Sequence, residues 1–136
     1  MSVGSTQGGK HRRGRGLPKQ LRIRLRRDYR RVQGRGQKLR QGALLCLFVP
    51  GADPHSRIGI TVSRKVGNAV NRNRVKRWLR EAIRHERGDL RGTWDVVFIA
   101  HPRAAQANAA DIRSDVRALF TRIPATPRRH AGRVRR

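Results

Sequence analysis

Between residues 57 and 81 the chain changes its hydrophobic period. Ile58, Ile60 and Val62 alternate with Gly59, Thr61 and Ser63, which predicts a strand with one buried face. Gly67-Asn68 then marks a turn, and from about Ala69 the spacing becomes helical. At about 100° per residue, Val75, Trp78, Leu79, Ala82 and Ile83 fall on one apolar stripe. Arg72, Lys76, Arg80 and Arg84 recur every fourth residue on an adjoining stripe, with Asn73 and Arg77 beside it. The helix is expected to end within residues 85–88.

The remaining elements read from the same two periods. Leu21, Ile23 and Leu25 alternate with Arg22, Arg24 and Arg26, predicting an extended entry. Residues 28–32 predict a short helix stopped by Gly34 and Gly36, with Tyr29 and Val32 on one face. Residues 43–50 (ALLCLFVP) form a continuous apolar run, hence a buried strand, closed by turn chemistry at 51–54. Residues 94–100 (WDVVFIA) give another strand, ended by His101-Pro102. Asn108 then precedes a helix in which Ile112, Val116, Leu119, Phe120 and Ile123 keep helical spacing. Asp111 stands where a capping box would place its acid. There is no internal repeat. The order predicts one α+β domain over residues 17–123, with helices on one face of a small mixed sheet. A basic arm (1–16) and a basic tail (124–136) flank it, both expected to be disordered.

Charge changes the picture more than size does. The 136 residues suffice for one domain. They carry 34 Lys and Arg against 8 Asp and Glu, a formal net charge of +26. Such a chain repels itself and associates with polyanions. The 36% hydrophobic content leaves a small core, the deficit falling in the arms. Like charges four apart cost a few tenths of a kcal/mol per pair in an isolated helix. A stripe of them makes sense where phosphates neutralise it and condensed counterions are released. Arginine, with its bidentate fork, suits RNA particularly well.

Other classes are weakly supported. Cys46 is the only cysteine, so no intramolecular disulfide can form; it reads as a core residue in a reducing, cytoplasmic compartment. No stretch has the apolar length of a signal peptide or membrane span. The eight acids (Asp28, Asp53, Glu81, Glu86, Asp89, Asp95, Asp111 and Asp115) form no metal-ligand pattern. Glu81 and Asp115 read as helix-surface partners of arginines. His11, His55, His85, His101 and His130 are scattered, and no phosphate loop is present. The chain is expected to have no active site and to hold no metal of its own. Composition alone favours a structural RNA-binding protein of ribosomal type. A DNA-compacting protein would need a groove-reading helix at a dimer interface, whereas the apolar stripe here is committed to its own sheet.

A more specific reading comes from consecutive residues. Val62-Ser63-Arg64-Lys65-Val66-Gly67-Asn68-Ala69-Val70, then Arg72-Asn73-Arg74, then Lys76-Arg77-Trp78-Leu79-Arg80-Glu81 resembles the signature of the protein component of bacterial ribonuclease P. The resemblance covers residues 21–123. It implies a four-stranded mixed sheet with three helices and a left-handed βαβ crossover, which chain physics alone would not predict. It also implies an endoribonuclease holoenzyme in which the RNA subunit is the catalyst. That RNA uses bound Mg2+ to remove the 5′ leader of precursor tRNA. The protein is implied to be a monomer in a one-RNA, one-protein complex.

Carried over by position, Arg64, Lys65, Asn68, Arg72, Asn73, Arg74, Lys76, Arg77 and Arg80 are implied to face the catalytic RNA. Tyr29, Val32 and Gln33 are implied to line a leader cleft between the sheet and the N-terminal helix, where an aromatic ring can stack on an unpaired base. Two departures stand out. Gln33 occupies a place where a second aromatic is common, and Arg26 stands where an N-cap would be Ser, Asn or Asp. The Arg-rich arms also exceed the usual chain ends.

Overall fold

In a computed structural model, which describes residues 17–51 and 54–125, a short 3-10 turn (Lys19–Leu21) leads into α1 (Arg26–Arg35). There follow β1 (Gln37–Gln41), β2 (Leu44–Pro50), β3 (Arg57–Val62), α2 (Ala69–Glu86), β4 (Trp94–Ala100) and α3 (Ala109–Arg122). The arm 1–16, all but the start of the tail, and Ala52-Asp53 in the β2–β3 turn lie outside the described residues. The strands form one sheet in the order β1-β2-β4-β3. β1–β2 and β2–β4 are antiparallel, and β3–β4 is parallel, joined by α2. This is the α+β domain with a four-stranded mixed sheet and three α-helices.

The expectation of helices on one face needs correction: they cover both. β2 and β4 are apolar at consecutive positions, as central strands buried on both sides must be. Leu44, Cys46, Phe48, Trp94, Val96 and Phe98 point towards α2 and α3, meeting Val75, Leu79, Ile83, Ile112, Val116 and Phe120. Phe48–Trp94 and Phe98–Phe120 pack edge to face, with ring centroids 5.3 and 5.5 Å apart. Leu47, Val49 and Val97 point the other way and pack with Ile23 and Val32 beneath α1. Cys46 is fully buried in the larger core, which pushes its thiol up to about 12.

Three local readings also change. α1 is longer than residues 28–32 because Gly34, with open space where a Cβ would go, does not stop it. It ends where the Gly36 N–H reaches the Val32 carbonyl at 2.8 Å. Its N-cap is Leu25, with no side-chain cap bond, so Arg26 is the first helical residue instead of the cap. β1 (QKLRQ) has a single apolar residue, Leu39, and its pattern alone does not identify a strand.

Charged groups fasten the helices. Glu86, 7% exposed, takes Arg113 Nε at 2.5 Å and Arg117 Nε at 3.1 Å, tying α2 to α3. Hydrogen bonds from Arg117 and then Arg113 hold its carboxyl below the usual carboxylate range. Asp115, expected to partner arginines at the surface, accepts the Ala43 backbone N–H at 3.4 Å, and Arg103 acts on it only as a more distant charge. Asn108 caps α3 as its position predicts, accepting the Asp111 N–H at 2.8 Å.

Candidate nucleic-acid interface

The turn before α2 is built to expose cations. Ser63 Oγ accepts the Lys65 N–H at 3.2 Å, opening a 3-10 turn (Arg64–Val66) whose Val66 is buried. With Val66 anchored, Arg64 and Lys65 stand exposed. Gly67 follows at φ +149°, a conformation that side-chain-bearing residues rarely adopt. Asn68 then caps α2 by accepting the Asn71 N–H at 3.0 Å.

Along α2 the two stripes separate as the spacing requires. Val75, Leu79, Ala82 and Ile83 are buried, and Trp78 is half-buried against the same core. Asn73, Arg77 and Arg80 are exposed; Arg72, Lys76 and Arg84 are half-buried. Arg74 is engaged within the helix. Its Nη2 donates to Asn71 Oδ1 at 2.6 Å and its guanidinium lies 5.5 Å from the Trp78 ring centroid. No carboxylate among the described residues pairs with Arg64, Lys65, Arg72, Lys76, Arg77 or Arg80. The result is a stripe of unneutralised cations on a rigid helix.

A second surface lies on the α1 side of the sheet. The Tyr29 ring packs closely on Gly59, where a Cβ would come within 2.7–2.8 Å of three ring and hydroxyl atoms. Its hydroxyl accepts the Ile60 N–H at 3.2 Å. Beside it an open groove of about 400 Å³ is lined by Arg24, Arg26, Tyr29, Gln33 and Thr61. On its other side a smaller cavity of about 180 Å³ runs past Arg22, Ile23 and Ile60 to Arg80 of α2. Arg80 therefore joins the two surfaces.

The strand register shows what α1 leaves open. Leu47, Val97 and Gly59 form a row across the sheet that is buried beneath Tyr29 and Val32. The next row, Arg40, Leu45, Ile99 and Thr61, is half-exposed at Leu45 and Ile99 on the central strands and at Thr61 on the β3 edge, and exposed at Arg40. Of the expected cleft residues, Tyr29 and Gln33 line the groove. Val32 does not: at 0% exposure it supports α1 from below and offers no surface to a ligand. Arg24, Arg40, Leu45, Thr61 and Ile99 were not singled out by sequence reasoning. Finding the last four required the strand register.

An α+β domain with an unpaired cation stripe on one helix and a partly open sheet beside an aromatic belongs to the class of RNA-binding proteins. The family model described as Ribonuclease P matches residues 17–124, and the chain belongs to that family. A ribonuclease P protein component from Desulfovibrio desulfuricans is 44% identical over 93 residues, covering 67% of this chain and 72% of that protein. The one from Alkaliphilus metalliredigens is 35% identical over 96 residues, 71% of this chain and 86% of that protein. The solved RNase P protein of Thermotoga maritima superposes with a TM-score of 0.70 at 33% identity, covering 76% of this chain and all (100%) of that one. The Staphylococcus aureus protein gives 0.69 at 26%, covering 77% and 96%. Membership makes the chain a protein subunit of a tRNA-processing ribonucleoprotein, with the ribonuclease P RNA as its partner. The reading as a structural protein of ribosomal type is not favoured. No helix among the described residues is long and apolar enough to cross a membrane.

Proposed function

We propose that the chain binds two RNAs at once and that its RNA partner performs the chemistry. Arg64, Lys65, Asn68, Arg72, Asn73, Lys76, Arg77 and Arg80 face the catalytic RNA, with Arg74 stiffening the same helix. Tyr29, Gln33 and the open row Leu45–Ile99–Thr61 receive the single-stranded 5′ leader of precursor tRNA. The observation that carries this reading is the exposure of that row beside an aromatic pinned by its hydroxyl. An unpaired base can stack there, while a duplex has no exposed base face to offer.

Among the described residues no group of three or more His, Cys, Asp or Glu is placed to hold a metal ion. The protein is therefore a poor fit as the resident site of Mg2+, and the magnesium of the reaction is assigned to the RNA. The domain 17–123 carries both surfaces, and the basic segments 1–16 and 124–136 add sequence-independent attraction to phosphate. One copy serves one RNA, in the cytoplasm.

Reconstitution of precursor-tRNA cleavage with the cognate RNA at low magnesium, with and without the protein, tests this reading. The protein is expected to raise cleavage at low magnesium. No single Asp, Glu or His substitution is expected to abolish the single-turnover chemical step when RNA and magnesium are saturating. Losing a general acid or base usually costs about 10²–10⁴ in rate, so a drop of that size in a folded variant would contradict the assignment.

A further inference from the structure

Asp95 lies on β4 at 0% exposure in a chain of net charge +26. Arg57 of β3 grips it with both ends of its guanidinium, Nε to Oδ1 at 3.2 Å and Nη2 to Oδ2 at 2.9 Å. Arg31 of α1 reaches the same carboxylate, Nη2 to Oδ2 at 2.6 Å. Asp28, one turn earlier on α1, lies 3.5 Å from Arg57 Nη1 and 3.8 Å from Arg31 Nη2. One buried anion thus ties α1 to two strands.

Stability alone is a weak reason for such a group. A buried ion pair often stabilises a fold no better than a well-packed apolar replacement, because desolvation offsets the attraction. What it does supply is direction. Apolar burial of Val32 is non-directional, the Tyr29 hydroxyl anchors α1 at one point only, and on the two central strands the face stays apolar past its first row, from Leu47 to Leu45 and from Val97 to Ile99. Arginine–carboxylate contacts of the fork type fix position as well as energy.

The register shows what that position controls. Arg57, Asp95 and Val49 share one row; Gly59, Val97 and Leu47 share the next; Thr61, Ile99 and Leu45 share the third. The charged network engages the first row and the Tyr29 ring the second, so the third stays open. Rows two residues apart are about 6.6 Å apart along the strand. A shift of α1 by one row would carry it over the open row and lift Tyr29 from Gly59.

We infer that Asp95 is a positioning residue for leader recognition, holding α1 through Arg31 so that the sheet row beside Tyr29 stays open. The inference rests on the leader reading given above. It differs in assigning a recognition role to a carboxylate that no leader touches.

The test is the ratio of mature-tRNA to precursor-tRNA dissociation constants for the holoenzyme, with protein saturating the RNA subunit. Asp95→Asn is the direct variant. Arg31→Ala removes the direct link from Asp95 to α1 while leaving Asp95 paired with Arg57 and Asp28 beside Arg57, and guards against a failure to fold. Each is measured alone and with Tyr29→Ala. Arg31→Ala is expected to lower the ratio roughly three- to ten-fold, about 0.6–1.4 kcal/mol, without changing affinity for the RNA subunit. In the Tyr29→Ala background it is expected to lower the ratio by less than in the parent, because part of what α1's position secures is the placement of that ring. A merely structural role would shift thermal stability and leave the ratio alone. If Tyr29→Ala lowers the ratio but Arg31→Ala does not, or the two losses add, the positioning role is overturned and the leader reading survives. If Tyr29→Ala itself leaves the ratio unchanged, both fall.

Discussion

Tyr29 and Ile60, 31 positions apart, meet through a single oxygen: the phenol accepts the Ile60 N–H at 3.2 Å and donates to its carbonyl at 3.5 Å. Both backbone groups lie on β3, which pairs with β4 on one side and, among the described residues, meets the Arg22–Ile23 segment at Ile58 on the other. The hydroxyl satisfies the Ile60 groups further along that edge while the ring covers Gly59. The aromatic is fixed by its polar end, and its position does not depend on a bound ligand.

That arrangement gives a graded series. Tyr29→Ala is expected to weaken precursor binding about ten-fold or more while mature tRNA binds almost as before, since stacking a base on an aromatic is worth roughly 1–3 kcal/mol. Tyr29→Phe keeps the ring and loses only the Ile60 contacts, so most of the affinity should remain. Gly59→Ala is the more telling variant. Its methyl would fall 2.7–2.8 Å from the ring and hydroxyl atoms, driving the ring off the strand without removing it. Gly59→Ala should mimic Tyr29→Ala in precursor binding; equal losses for both ligands across the series would make Tyr29 a core residue only.

The core makes a simpler prediction. Leu79 is 0% exposed between the sheet and α3, whereas Trp78 is only half-buried. Leu79→Ala is expected to destabilise the domain by about 2–5 kcal/mol, read as a lower urea midpoint at unchanged slope. An unchanged midpoint would contradict the packing of α2.

The contrast between those neighbours shows what sequence can and cannot deliver. α2, α3, β2, β3 and β4 were legible because each buries a face whose period survives in one dimension. β1 was not: as an edge strand it partly buries only Leu39 and the polar Gln41, and its other residues face water. The basic stripe of the candidate interface was visible as well, since helical spacing alone brings Arg72, Lys76 and Arg80 together. The open row was not, because Leu45 and Ile99 are 54 positions apart and meet only through β2–β4 register. Asp95 read as an ordinary acid at the start of a strand until two guanidiniums from different elements converged on it. The arrangement of helices was misjudged for a related reason. A run such as ALLCLFVP implies two covered faces, and that implication called for a helix on the second one.

Two carboxylates should give opposite pH signatures. Arg117 and Arg113 depress the pKa of Glu86, so its contribution to stability is present above the unfolded value of about 4.3 and is lost as pH falls through the lower folded value. Glu86→Gln should be clearly less stable than the parent at pH 7, with the gap narrowing below about pH 4.3. Burial raises the pKa of Asp115, which the Ala43 N–H offsets only in part and Asp111 reinforces. Its penalty exists at neutral pH and lifts as pH falls through the raised folded value. Asp115→Asn retains an oxygen for Ala43, so at pH 7 it should be at least as stable as the parent. Denaturant midpoints at pH 7 and pH 4 decide both; a destabilised Asp115→Asn at pH 7 would reverse that sign.

Salt dependence separates cations that meet phosphate from those that brace the helix. Lys65 and Arg77 are exposed, and no carboxylate among the described residues pairs with either. Arg74 already donates to Asn71 at 2.6 Å and lies over Trp78. Each phosphate contact adds about one unit to the slope of log K against log salt through counterion release. Lys65→Ala with Arg77→Ala should therefore flatten the slope for the RNA subunit by roughly two units. Arg74→Ala should lower affinity with a slope change below about one unit, because its charge is already partly committed within the protein. Titrations of the RNA subunit at several monovalent salt concentrations, magnesium fixed, give all three slopes. An unchanged slope in the double variant would mean that the stripe faces water in the complex. A full unit lost in Arg74→Ala would mean that its guanidinium leaves Asn71 and Trp78 to bind a phosphate.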